Sequence, residues 1–378
     1  MDSTSDKRLK IAIAHDYLTQ RGGAERVVLS MYRAFPEARI YTTLYSPEDT
    51  FPDFRGAEIV VSPLNRVSHF RKDHRTALPF LAPVASGMKI DADIVLTSSS
   101  GWAHGFKTSG TQVVYCHTPA RWLYLTDDYL GNKGGLSVKQ IALGLLTPAL
   151  KRWDQKAARR AKNYIANSTV VQDRIRRVYG VEAPIVFPPH SLDISGDRES
   201  FPELDELSTE PYLLVVARLM KYKNVDQVML AARQLDLPLL VVGDGPEKAE
   251  LQRLEGERIR IVSGLSDGQL RAAYAGAGAL IAASYEDFGI TPLEAAAWGL
   301  PTLALRGGGY LDTVIEGKTG LFFESARADL IAKTVQRARD MEWNAELIQN
   351  HADKFSEARF HREIKEQIEK FTGFAAAT

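Results

Sequence analysis

Cysteine is almost missing from this chain. Cys116 is the only one in 378 residues, which excludes an internal disulfide and a cysteine-rich metal site. Long apolar runs are missing too. The longest, Ile141 to Leu150, is interrupted by Thr147-Pro148 and falls short of the roughly 20 residues that a membrane-spanning helix needs. The opening residues Met1 to Lys7 are polar and lack the apolar stretch of a signal peptide. A cytoplasmic chain is therefore expected, at most peripheral on the inner face of the cell membrane. Net charge is zero. No internal repeat occurs, and the only biased stretch is a short Ala-rich tail. A dinucleotide fingerprint needs three spaced glycines. Arg21-Gly22-Gly23-Ala24-Glu25 lacks the third. After Gly243-Asp244-Gly245-Pro246 its place is taken by Lys248, so no nicotinamide site is expected there.

The charge is unevenly spread. Residues 1–190 hold about 26 Lys and Arg against 17 Asp and Glu, and the remainder about 21 against 30. A basic half and an acidic half suggest an anionic partner for the first, or two halves that attract each other. The length favours two domains. Apolar strand candidates alternate with helical segments throughout. In the first half they are 9–14, 40–44, 58–61, 93–97, 112–115, 163–168 and 184–187. In the second they are 212–217, 239–242, 259–262, 279–283 and 301–305. Such alternation indicates an α/β fold with doubly wound parallel sheets. The polar segment 191–211 reads as the linker. The expected division is an N-terminal domain 1–190, a C-terminal domain 191–357 and a last amphipathic helix 358–378.

One stretch organises the chemistry: Ser284-Tyr285-Glu286-Asp287-Phe288-Gly289-Ile290-Thr291-Pro292-Leu293-Glu294. It joins the end of a buried strand to a helix with Pro292 in its first turn. Ligands bind at this place in open α/β sheets, and free N–H groups there favour an anion. Two glutamates alone would read as solvated surface and a first-turn carboxylate that suits the helix dipole. With Phe288-Gly289 and Pro292 between them, the stretch resembles the retaining glycosyltransferases of family 4, which have the GT-B fold. That fold is two Rossmann-like domains facing across a cleft.

The resemblance implies roles. Glu286 contacts the transferred sugar and Glu294 the ribose of the nucleotide. Phe288, Gly289, Ile290, Thr291 and Pro292 line the diphosphate turn. Arg218 and Lys223, after the strand 212–217, are the cation pair that the family grips its diphosphate with. Gly22 and Gly23 lie under the sugar diphosphate, and Gly264 with Leu265 hold the base. His117, within Cys116-His117-Thr118-Pro119, contacts the sugar as in mannosyltransferases of the family. The implied reaction moves a hexose, mannose from GDP-mannose by resemblance, to a glycan or lipid-linked acceptor. A nucleotide-sugar-binding protein or a sugar-nucleotide epimerase on the same scaffold are the alternatives.

No cofactor is expected, since the nucleotide sugar is a substrate. No divalent metal is expected either, because the two cations can do its work. The segment Arg66, Phe70, Arg71, Lys72, Arg75, Leu78, Phe80, Leu81 mixes basic and apolar residues. It reads equally as solvated surface or as contact with an anionic membrane. The basic run from Lys151 to Lys162 reads as a solvated helix face. Nucleic acid is not an expected partner, because no recognised binding module accompanies the charge.

Overall fold

The computed structural model describes residues 9–124, 138–190, 194–207 and 210–374. The chain divides into two compact units, one formed by Met1–Pro189 with Glu357–Thr378 and the other by His190–Ser356.

The first unit holds a six-stranded parallel sheet. Its strands are β1 (Ile11–His15), β2 (Arg39–Thr42), β3 (Ile59–Val61), β4 (Ile94–Ser99), β5 (Thr111–Cys116) and β6 (Asn163–Ala166), in the order β3-β2-β1-β4-β5-β6. The second unit repeats the plan. There β7 (Tyr212–Val216), β8 (Leu239–Val242), β9 (Ile259–Val262), β10 (Ala277–Ala282), β11 (Thr302–Leu305) and β12 (Gly320–Phe323) run in the order β9-β8-β7-β10-β11-β12. Both are doubly wound, Rossmann-like sheets, as in the GT-B fold. In each, the strand order reverses direction beside the first strand, between β1 and β4 and between β7 and β10. A crevice opens at such a switch point, at the strands' C-terminal ends.

The central strands are apolar on both faces because helices cover both. On β7, Leu213 and Val215 pack with Val228 and Met229 of α4 (Val225–Leu235) and with Ile331 and Val335 of α6 (Ala328–Arg339). Tyr212 and Leu214 face the opposite layer with Tyr274 and with Ala295 of α5 (Thr291–Ala297). In the first unit, α1 (Gly23–Ala34) packs Val28 and Met31 against Ile13, Ile40 and Leu96. The closing helix α7 (Glu357–Thr372) adds Phe360, Ile364 and Ile368 to that same core. These residues recur every four positions, so one stripe of the helix is apolar.

Local rules explain the helix ends. In α3 (Thr169–Tyr179), Ser168 Oγ accepts the N–H of Val171 at 3.1 Å, and Gly180 closes the helix at φ +68°. The basic helix α2 (Val138–Ala161) is more than a solvated face. Its Asp154 is fully buried, accepting from Tyr124 OH at 2.7 Å and Tyr179 OH at 3.2 Å, with His104 Nε2 at 3.1 Å. Its Arg160 holds the carbonyls of Gly105 and Phe106.

Two sequence expectations are corrected. Residues 184–187 form no strand, only a bridge between Ile185 and Ala166. Pro184 has no N–H and Pro188-Pro189 follows, so the ladder cannot extend. The segment 191–211 is not all linker. Pro202–Leu207 is a helix whose Leu204 and Leu207, with Phe201, enter the core of the second unit. Its acidic residues hid that apolar spacing.

Candidate active site

In the second unit the loops after β7 and β10 are neighbours because those strands pair in parallel. Asn224, in the left-handed region at φ 53°, donates its amide to the Ala283 carbonyl at 2.8 Å and ties the two loops together. Lys223 Nζ then reaches Glu286 Oε1 at 2.6 Å, with the two side chains 16% and 19% exposed. Ser284 Oγ donates to the same carboxylate oxygen at 2.8 Å. Since that hydrogen is used, the Tyr310 hydroxyl is the donor in its 3.0 Å contact with Ser284. Burial, and then the Glu286 charge, push the Tyr310 hydroxyl well above its ordinary pKa, so it stays a neutral donor. Glu286 is thus held from two sides.

Behind it runs Gly307-Gly308-Gly309. Gly309 N–H donates to the Glu286 carbonyl at 2.8 Å. A Cβ on Gly308, at φ +63°, would lie 2.3 Å from that carbonyl oxygen. Arg218, on the loop after β7, is exposed, and its guanidinium has no partner among the described residues. The turn that carries it is braced by Leu219 N–H donating to Asp244 O at 2.8 Å. A side chain on Gly243 would meet the Ala217 carbonyl at 1.9 Å. The glycines of 243–245 therefore serve the Arg218 loop.

Gly289, at φ +83°, packs under Tyr310. The N–H groups of Gly289, Ile290 and Thr291 have no hydrogen-bond partner among the described residues. Pro292 follows in the first turn of α5, and Phe288 is buried. Glu294 is buried too, and its Oε2 accepts from Tyr274 OH at 3.0 Å. Gly264, at φ +71°, and Leu265 follow β9, two strands from β7 on the same sheet edge. No hydrogen bond joins them to the Glu286 cluster among the described residues.

In the first unit His117 follows β5, and its Nε2 lies 2.7 Å from Ser98 Oγ. Burial, reinforced by nearby His15, lowers its pKa to about 3. The chain's close approach at Gly22 is internal, since a Cβ there would lie 2.5 Å from Glu25 Oε2. Around Gly23 the space is open. Asp16 is a structural anchor. Its carboxylate accepts from the N–H groups of Ser100, Trp102 and Ala103 and from Ser99 Oγ.

The basic and apolar segment is corrected in detail. Leu81 is 2% exposed and belongs to the core. Arg71 is held by the Asn65 carbonyl. Phe70 tilts against Phe80. Of the residues named for it, Arg66, Lys72, Arg75 and Phe80 stay exposed, together with Val67 and the acidic Asp73. One Asp-x-Asp tripeptide also occurs, Asp91-Ala92-Asp93. Asp91 pairs with Lys10 Nζ at 3.1 Å, and Asp93 accepts the Lys10 N–H at 2.9 Å. It stands at the start of β4, away from the C-terminal sheet edge.

Two family descriptions match this chain. "Glycosyltransferase Family 4" covers residues 21–195 and "Glycosyl transferases group 1" covers 197–359. The chain belongs to this glycosyltransferase family. Among curated relatives of the glycosyltransferase, a GDP-mannose-dependent alpha-(1-6)-phosphatidylinositol monomannoside mannosyltransferase of Mycolicibacterium smegmatis is 28% identical over 196 residues, 44% of this chain and 50% of that protein. A glycogen synthase of Xanthomonas campestris is 31% identical over 140 residues, 35% of this chain and 30% of that protein. The chain thus spans half or less of these curated relatives. Solved structures share the fold. Anabaena HepE in complex with UDP and glucose has a TM-score of 0.66 at 15% identity, covering 96% of this chain and 100% of that one. Sucrose-phosphate synthase from Thermosynechococcus elongatus has a TM-score of 0.69 at 17% identity, covering 96% and 99%. No helix among the described residues is long and apolar enough to cross a membrane.

Proposed function

We propose that this glycosyltransferase moves a hexose from a nucleotide diphosphate donor to a glycan or lipid-linked acceptor, with retention at the anomeric carbon and without a metal. The observation that carries the reading is the Lys223–Glu286 pair at the β7/β10 switch point, with Arg218 on the loop after β7 and the N–H groups of 289–291 after β10, none of which has a partner among the described residues. Charge grows on the diphosphate as it leaves. A cation and aligned N–H groups in a fixed frame stabilise that charge without reorganising. Glu286, locked by Lys223 and Ser284, orients the sugar. Glu294 takes the ribose, His117 the sugar, and Gly264 with Leu265 the base. GDP-mannose is the first donor to test, because the M. smegmatis relative is named for it. UDP-glucose is the second, since HepE binds UDP and glucose.

The test is transfer from a panel of labelled nucleotide sugars with EDTA present. Turnover on a hexose donor is expected, with Arg218→Ala slower by about a hundredfold. Tight donor binding with no turnover on any acceptor would leave a binding protein instead. A need for added Mg²⁺ would overturn the metal-free mechanism.

The exposed patch of Val67 and Phe80 with Arg66, Lys72 and Arg75 supports peripheral attachment to an anionic membrane. Each basic residue contributes about 1 kcal/mol near such a surface. Co-sedimentation with phosphatidylserine vesicles at low salt is expected, with loss in Lys72→Glu/Arg75→Glu. A wild type that stays in the supernatant makes the patch ordinary surface.

A further inference from the structure

Four polar side chains stand in series at the switch point of the first unit. His117 Nε2 lies 2.7 Å from Ser98 Oγ. That oxygen lies 3.1 Å from Nδ1 of His15, which is also 3.1 Å from the Ser98 carbonyl oxygen. On the far side, His15 Nε2 faces Glu25 Oε1 at 4.0 Å. Gln20 donates to the same carboxylate oxygen at 3.0 Å. Glu25, His15 and Ser98 are each at most 2% exposed. The sheet builds the series, since His15 of β1 is in register with Ser98 of β4.

The Ser98 carbonyl sets the direction of every hydrogen. A carbonyl oxygen only accepts, so His15 must carry a hydrogen on Nδ1. Ser98 Oγ, at the same 3.1 Å from that nitrogen, faces its hydrogen and so does not aim its own hydrogen at His15. Ser98 is fully buried, and the one acceptor left for its hydrogen among the described residues is His117 Nε2, so that nitrogen accepts. A neutral imidazole that accepts at Nε2 has its hydrogen on Nδ1. No hydrogen bond engages Nδ1 of His117 among the described residues.

We propose that Glu25, His15 and Ser98 are positioning residues that hold His117 as the neutral Nδ1–H tautomer, so that it offers a hydrogen-bond donor, not a base, to an oxygen of its ligand. The ligand part of this statement rests on the sugar-transfer reading above. Electrostatics agree with the geometry. Burial and neighbouring His15 keep His117 neutral at ordinary pH. Burial opposes charge on His15 most strongly, but the nearby Glu25 carboxylate, Asp16 and the Ser98 carbonyl together raise its pKa. A His15 that favours its charged form keeps the Nδ1 hydrogen in place.

The test is nitrogen NMR of the full chain with ¹⁵N-labelled histidine, without ligand, at pH 7. His117→Gln assigns the ring. The expected result is a protonated Nδ1 and a lone-pair Nε2. A protonated Nε2, or an averaged pair, overturns the proposal, and this spectrum decides even if no Ser98 variant folds. Ser98→Ala should mix the tautomers and lower kcat about tenfold, the equivalent of one hydrogen bond, with donor KM nearly unchanged. Ser98→Thr should restore both. Unchanged tautomers in Ser98→Ala would overturn the series as their cause, whatever happens to activity. An Nδ1–H ring in a chain that transfers no sugar would support the tautomer assignment and refute only the sugar-transfer reading.

Discussion

At the scale of residues, the functional motifs depend on partners that their spacing does not show. Glu286 is named by its place before Phe288-Gly289. What fixes its carboxylate is Lys223, 63 positions away, and Ser284. Ser284 could have been noticed as a polar residue where an apolar strand ends. The same signal marks Ser98 and Ser99 at the end of β4. His117 yields a pH test. The folded chain keeps it neutral to about pH 3, whereas the unfolded chain protonates it below about 6.5. Between these values the unfolded state binds more protons, so this contribution to stability falls as pH drops from 6.5 towards 3 and is constant above 6.5. His117→Gln should therefore lose less of its urea midpoint between pH 7 and pH 4 than the wild type. An equal loss in both would show that the folded chain does not hold this ring neutral.

At the scale of elements, the turn after β10 and the glycine turn after β11 are built for each other. Gly308 combines a left-handed backbone with a 2.3 Å approach to the Glu286 carbonyl, whereas Gly317, at φ +74°, has open space around its Cβ position. Both glycines carry the conformational cost of a substitution, on the order of 1 kcal/mol. Only Gly308→Ala must also push the Glu286 backbone aside. Gly308→Ala should thus lower stability by more than Gly317→Ala and abolish most sugar transfer, while Gly317→Ala keeps near-normal turnover. Urea unfolding and donor turnover of the two variants check this. Equal activity in both would mean that Glu286 does not need its rigid frame.

At the scale of the molecule, the chain leaves the first unit at Pro189 and returns to it at Glu357. Phe360, Ile364 and Ile368 are each 0% exposed. Burying one such side chain contributes about 2 kcal/mol, so the three rival the roughly 5–15 kcal/mol that holds a domain together. Deleting residues 357–378 should unfold the first unit and spare the second. Hydrogen exchange would show it as lost protection in β1, β4 and β5 with protection kept in β7, β8 and β10. Protection lost in both units alike would mean that they fold as one. The opposite charges of the two halves, visible in composition, follow the same division closely.

The sequence by itself determined the layers and the motifs. Apolar runs of strand length, helical periods between them and the turn chemistry of 286–294 are local properties, legible within a dozen residues. They suffice for two doubly wound units, while Glu286, Glu294, Arg218 and Lys223 become candidates only through the family resemblance of that stretch. Only the tertiary structure decided which loops meet. Strand order is set by pairings between segments far apart in the chain, such as His15 with Ser98, 83 positions on. No window of sequence contains such a pair. That is why Leu81 turned inward, why Pro202–Leu207 joined a core, and why the Glu25–His15–Ser98–His117 series could not be read from residue spacing. A hydrogen bond's direction depends on what lies opposite, and here a backbone carbonyl supplies the one fixed acceptor from which the others follow.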